Sequence, residues 1–128
     1  MNVTIEDIEQ YLLEVKDAVK KGNYWLVMNP KRQENIRLFR DYTIDKVKVK
    51  EIILGLTVMD FVEILQNEHK GYQHERLYVF GKDTAFLHKE NKKAKTVSLY
   101  IKFNKVTNSF VYVISFHEQK RPVKYYFK

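Results

Sequence analysis

Apolar residues recur every three or four positions at the start of the chain: Ile5, Ile8, Leu12, Val15 and Val19. That spacing predicts an amphipathic helix, capped by Thr4 and stopped by Gly22 in a left-handed conformation. Glu6, Asp7 and Glu9 stand in its first turns and Lys20 and Lys21 in its last, as the helix dipole favours. Residues 24–28 form a short apolar run ended by Asn29-Pro30, which predicts a strand or an extended segment. Residues 31 to 40 read as a helix with Ile36 and Phe39 on one side. Another helix is expected from Thr43 to Leu54, with Gly55 as its stop. Thr57-Val58-Met59-Asp60 is an acidic variant of the capping box. It predicts a short helix with Val58, Phe61, Val62 and Leu65 facing inward.

After Gly71 the period changes from helical to alternating. Residues 77–80 predict a strand, Gly81-Lys82-Asp83 a turn, and residues 84–87 an extended stretch. Residues 90–95 form a lysine-rich tip. Residues 96–104 alternate, with Val97, Leu99, Ile101 and Phe103 on one face and Ser98, Tyr100 and Lys102 on the other. A turn over residues 105–108 leads into a returning strand at 110–117, and residues 123–127 predict a last short one. The order is helices first, then a meander. That is an α+β pattern in one domain over residues 1–128, with N-terminal helices packed on a small antiparallel sheet.

The hairpin turn decides which residues share a face. A turn centred on Val106-Thr107 sets Phe103 opposite Phe110. One face then collects Phe103, Ile101, Leu99 and Val97 with Phe110, Tyr112, Ile114 and Phe116, the wall expected to meet the helices. The other collects Lys102, Tyr100, Ser98 and Thr96 with Val111, Val113, Ser115 and His117.

Charge sharpens this picture. The chain of 128 residues carries a formal net charge of +7. Residues 1–81 hold 12 Lys/Arg against 13 Asp/Glu, and residues 82–128 hold 11 against three, so the last third alone is net +8. Such asymmetry favours a polyanionic partner, because each neutralised phosphate releases counterions. Aromatic rings interleaved with the lysines suit unstacked single-stranded bases. Lys92, Lys93, Lys95, Lys120 and Arg121 are the RNA-binding candidates. No apolar run approaches the roughly twenty residues of a spanning helix. The acidic N-terminus lacks the pattern of a signal peptide, so a cytoplasmic location is expected.

Several chemistries find no footing. With no Cys there is no thiolate nucleophile or Cys-ligated zinc. The four glycines are isolated, so no loop cradles a nucleotide phosphate. His69 and His74 are five apart, off the spacing that one helix face needs for a metal, and no cofactor is expected. What remains is His117 with Tyr100, Lys102, Lys82, Lys120 and Arg121, a set suited to metal-free cleavage of the RNA backbone. A base takes the 2′-hydroxyl proton, an acid protonates the leaving 5′-oxygen, and cations stabilise the charge growing on phosphorus. Histidine titrates near neutrality and serves either role.

Several segments also resemble a known family. Ile53-Leu54-Gly55-Leu56-Thr57-Val58-Met59-Asp60-Phe61 is similar to the Ile-Ile-Gly-Leu-Ser-x-x-Asp-Phe segment of MqsR-type toxins of bacterial toxin–antitoxin modules. In the same order follow Leu77-Tyr78-Val79-Phe80-Gly81-Lys82, Leu99-Tyr100-Ile101-Lys102-Phe103 and Val113-Ile114-Ser115-Phe116-His117-Glu118. Each resembles a strand of the family's Gram-positive branch. Upstream, Lys21-Gly22-Asn23-Tyr24 and residues 31–35 resemble its helix end and basic-Asn segment. The resemblance spans about residues 10–120. It implies a fold similar to the RelE-like ribonuclease toxins, endonucleolytic cleavage of mRNA, and a cognate antitoxin protein as partner. Tyr100 falls on the family's functional tyrosine, and His117 on a position held by lysine in its best-known member. A further family lysine falls on Glu63, a departure that implies either that Glu63 points elsewhere or that the catalytic set has moved to Lys82, Lys102 and His117. Two other classes fit the same residues: a non-catalytic nucleic-acid-binding module, and a phage- or plasmid-type regulator that binds protein.

Overall fold

The structure, a computed structural model, describes residues 2–107 and 109–128. Helix α1 (Ile5–Lys20) opens with a reciprocal capping box between Thr4 and Asp7 and buries Ile8, Leu12, Val15 and Val19. Gly22 ends it at φ 78°, the left-handed position that glycine takes without steric cost. Strand β1 (Tyr24–Leu26), α2 (Gln33–Asp41) and α3 (Lys46–Leu54) follow. Helix α3 begins later than Thr43 suggests, because the Asp45 carboxylate caps it by accepting the Lys48 N–H at 2.8 Å.

The predicted helix after Thr57 does not form. The capping box closes a single 3-10 turn (Val58–Asp60), and residues 61–66 pair as strand β2 (Phe61–Gln66) with β3 (Arg76–Leu87). Pairing supplies every residue of the strand but Val62 with a ladder partner, and the run Phe-Val-Glu-Ile-Leu favours a strand. Likewise no turn forms at 81–83, where β3 continues straight through. Gly81 is a close-approach position: a Cβ there would lie 2.8 Å from the Tyr125 hydroxyl and 3.1 Å from Gln119 Nε2. The expected strand at 123–127 is absent. That segment runs irregularly across the sheet, fixed by Gln119 Nε2 donating to the Leu99 carbonyl and Tyr126 N–H donating to the Phe61 carbonyl.

Strand β4 (Ala94–Thr107) is the centre of a five-stranded sheet of order β1-β5-β4-β3-β2, with β5 spanning Phe110–Glu118. The sheet is antiparallel except at one edge, where β1 runs parallel to β5. The α+β class therefore stands, with a mixed sheet in place of a fully antiparallel one. The β4–β5 turn falls later than expected, with Thr107 opposite Phe110; of its two residues Asn108 lies outside the described ones.

Two register shifts change the grouping of faces. Lys102 stands opposite Ser115, but Phe103 stands opposite Val113, so Ile114 is an extra residue in β5. Beyond this bulge the strand turns over. Val111 and Val113 go to the core, fully buried, and Tyr112 goes to the other face. The core wall is Val97, Leu99, Ile101 and Phe103 with Phe116, Val113 and Val111, packed under α1, α2 and α3. Buried Asn35 of α2 continues the sheet edge where β1 stops. Its amide donates to the carbonyls of Val27 and Ile114 and accepts the Phe116 N–H, each at 2.9 Å. Among the described residues, no helix is long and apolar enough to cross a membrane.

Candidate functional site

The face of the sheet away from α1 and α3 carries a cavity of about 630 Å³. Alternation puts Tyr100 and Lys102 of β4 on this face, and the register places His117 and Ser115 directly opposite them on β5. The Tyr100 and His117 rings stack, with centroids 5.2 Å apart and planes 13° from parallel. The start of α2 adds Arg32 and Glu34, β2 adds Glu63, and the crossing segment adds Arg121 and Lys124 as an outer wall. Lys120 also lines the cavity, ion-paired to Glu34 at 2.7 Å.

The histidine is held in one tautomer. Its Nδ1 lies 2.9 Å from the Glu118 backbone oxygen, which can only accept, so Nδ1–H donates and the neutral ring keeps its lone pair on Nε2. Burial lowers the His117 pKa below the ordinary imidazole value. The bond to Glu118 and the charge of Glu34 oppose that shift, and Lys120 and Lys102 add to it. Burial also lowers Lys102, with Arg32 as a like-charged neighbour, and raises Tyr100, with Glu63 adding to the rise. The Lys120 hydrogen bond draws the exposed Glu34 carboxyl down to about 2. The cavity therefore combines a neutral imidazole base, a phenol and at least four cationic side chains on one concave surface. That combination suits a nucleotide phosphate beside a proton to be moved.

Of the residues expected to act, Tyr100, Lys102, His117, Lys120 and Arg121 are brought together. Lys82 is not. It pairs with Leu99 in the ladder, so alternation sends it to the helix side. There its Nζ donates to the Gly55 carbonyl at 3.1 Å and meets Asp60 at 3.5 Å. Lys82 is a clamp between the sheet and the Gly55 turn, and it does not reach this cavity. Lys92, Lys93 and Lys95 cluster at the β3–β4 tip, with Lys95 about 17 Å along β4 from Tyr100. Glu63, expected on a short helix, stands instead on β2, where its exposed side chain lines the cavity. Arg32, Glu34 and Lys124 escaped the reading from sequence. The basic Lys31-Arg32 pair ahead of α2 was a signal for the first of them. Among the described residues, no three His, Asp or Glu side chains converge as a metal site.

Compared with known proteins, the chain matches no family model, and no curated protein or solved structure is significantly similar to it.

Proposed function

We propose that the chain is a metal-free endoribonuclease of the MqsR and RelE-like toxin type, cutting mRNA in the cytoplasm under the control of a cognate antitoxin protein. The observation that carries this reading is the stacked Tyr100–His117 pair, whose imidazole is bonded through Nδ1 and so keeps its Nε2 lone pair, in a cavity that Lys102 and Arg32 also line. In the reaction, His117 Nε2 takes the proton of a 2′-hydroxyl. The 2′-oxygen then bonds to the adjacent phosphorus, and the bond from phosphorus to the 5′-oxygen breaks. The products are a 2′,3′-cyclic phosphate and a 5′-hydroxyl, which receives the proton back. Lys102, Arg32 and Arg121 balance the charge that builds on the non-bridging oxygens. The Tyr100 ring orients the imidazole and offers its hydroxyl to the reacting nucleotide.

Cleavage of a short single-stranded RNA tests this directly. His117→Ala is expected to slow cleavage by about 10²–10⁴-fold, the usual worth of a positioned general base, while a chelator leaves the wild-type rate unchanged. Undiminished cleavage by His117→Ala would remove the residue from the mechanism. A wild-type chain that binds RNA and leaves it whole would favour the non-catalytic module.

A further inference from the structure

The same sheet face continues past the cavity. Two residues beyond Lys102, Asn104 of β4 stands on this face opposite Tyr112 of β5. Both line a shallow depression of about 590 Å³, closed on its far side by Asn67, Lys70, Tyr72 and Glu75 from the segment between β2 and β3. Its floor is an ordered polar cluster. Asn67 and Asn104 are both nearly buried, and their amide groups donate to one oxygen of Glu75, at 3.0 and 3.1 Å. The Asn67 oxygen accepts the His69 N–H. Among the described residues, the second Glu75 oxygen and the Asn104 side-chain oxygen accept nothing. Tyr72 and Tyr112, both exposed, flank this pair of acceptors, and Lys70 stands at the rim.

A carboxylate at the bottom repels phosphate, so the depression suits a group that donates hydrogen bonds and stacks. We propose that it is a base-binding subsite that selects guanine, next to the phosphate held in the neighbouring cavity. Among the four RNA bases, guanine alone carries two adjacent N–H donors, on N1 and N2, along its Watson–Crick edge. Adenine and cytosine place an acceptor beside their amino group, and uracil has one N–H between two carbonyls. A carboxylate fixed by two amides meets the guanine edge and opposes the others. Tyr112 and Tyr72 supply the stacking faces, and Lys70 receives the phosphate of the bound nucleotide. Asn104 lies about 13 Å along β4 from Tyr100, a separation that neighbouring nucleotides of an extended strand bridge.

The proposal rests on reading this face as an RNA site, and its test does not depend on cleavage. Fluorescence anisotropy would measure binding of wild-type protein to 2′-O-methyl pentauridylates with guanine, inosine, adenine or cytosine at the centre, none of which can react through a 2′-hydroxyl. Guanine should bind about fivefold or more tightly than adenine or cytosine, and inosine, lacking the N2 amine, should fall between. Glu75→Gln, which keeps an oxygen for both asparagines, should level the four. Tyr112→Ala, at an exposed position, should weaken all four by similar factors. Equal binding of the four oligonucleotides by wild type, or a guanine preference that persists in Glu75→Gln, overturns the subsite. Should Glu75→Gln fail to fold, equal affinities for guanine and inosine in wild type overturn it as well. Cleavage of unmodified RNA in parallel separates the two ideas. A guanine preference without cleavage removes the nuclease and keeps the subsite, and cleavage without the preference does the reverse.

Discussion

His117 shows how a single side chain is tuned by its neighbours. The Tyr100 ring and the sheet beneath exclude water from the imidazole, and loss of hydration disfavours the charged form. The folded pKa is therefore depressed below 6.5. The neutral, basic form thus persists as pH falls through 6.5 and is lost only further down. The acid limb of the pH–rate profile is expected below 6.5, at the pKa that NMR titration of His117 reports. Tyr100→Ala re-wets the ring and should move that limb up toward 6.5, an effect that a purely structural tyrosine would not have. By the same linkage, His117 contributes stability above its unfolded pKa and withdraws it as the solution acidifies. Tyr100, Lys102 and His117 were legible in sequence because strict alternation fixes their face. Lys82 was not, since a glycine-flanked lysine reads as a turn until Gly81 is seen to make room for Tyr125 inside an unbroken strand.

At the level of elements, the site owes its outer wall to the segment that leaves β5 and crosses back to β2. This crossing needs the bare Cα of Gly81, because Tyr125 and Gln119 occupy the space where a side chain would stand. Gly81→Ala should lift the crossing segment, raising KM for RNA more than it lowers kcat. Limited trypsin digestion should then cut sooner at Lys120, Arg121 and Lys124, with the far-UV spectrum unchanged. Digestion at the wild-type pace would show that the segment is held from elsewhere. The helices were readable from their apolar spacing and caps, since α1 and α3 begin and end on residues with a local reason to do so. The bulge at Ile114 was not. It depends on Asn35, distant in sequence, whose amide donates to the carbonyl of the extra residue and accepts the Phe116 N–H two residues on. The strand β2 was hidden for a related reason: its capping box is real and simply closes one turn.

Across the whole molecule, seven of the eleven cationic residues of the last third fall into two groups. One lines the cavity, and the other, Lys92, Lys93 and Lys95, stands at the β3–β4 tip. Replacing these three with Gln should leave the rate on a pentanucleotide within about twofold. On RNA long enough to reach the tip it should flatten the salt dependence of binding, by roughly 0.7 in log–log slope for each phosphate no longer neutralised. A large fall in rate on the pentanucleotide would mean that the tip folds over the site. Composition showed the charge asymmetry, and only the register showed that it splits. The parallel pairing of β1 with β5 also has a kinetic side. The β3–β4 and β4–β5 ladders close between neighbours in the chain, whereas Tyr24 must find Val111 across most of its length. Loop-closure entropy makes such a pairing late, so β1 should dock after the barrier, onto a hairpin core already formed. Stopped-flow chevrons should then show Leu26→Ala speeding unfolding with the refolding rate nearly unchanged, and Ile101→Val slowing refolding. The edge that closes last in folding is also the one that opens first, so the free energy of docking β1, given up before the unfolding barrier, lengthens the kinetic lifetime of the native state.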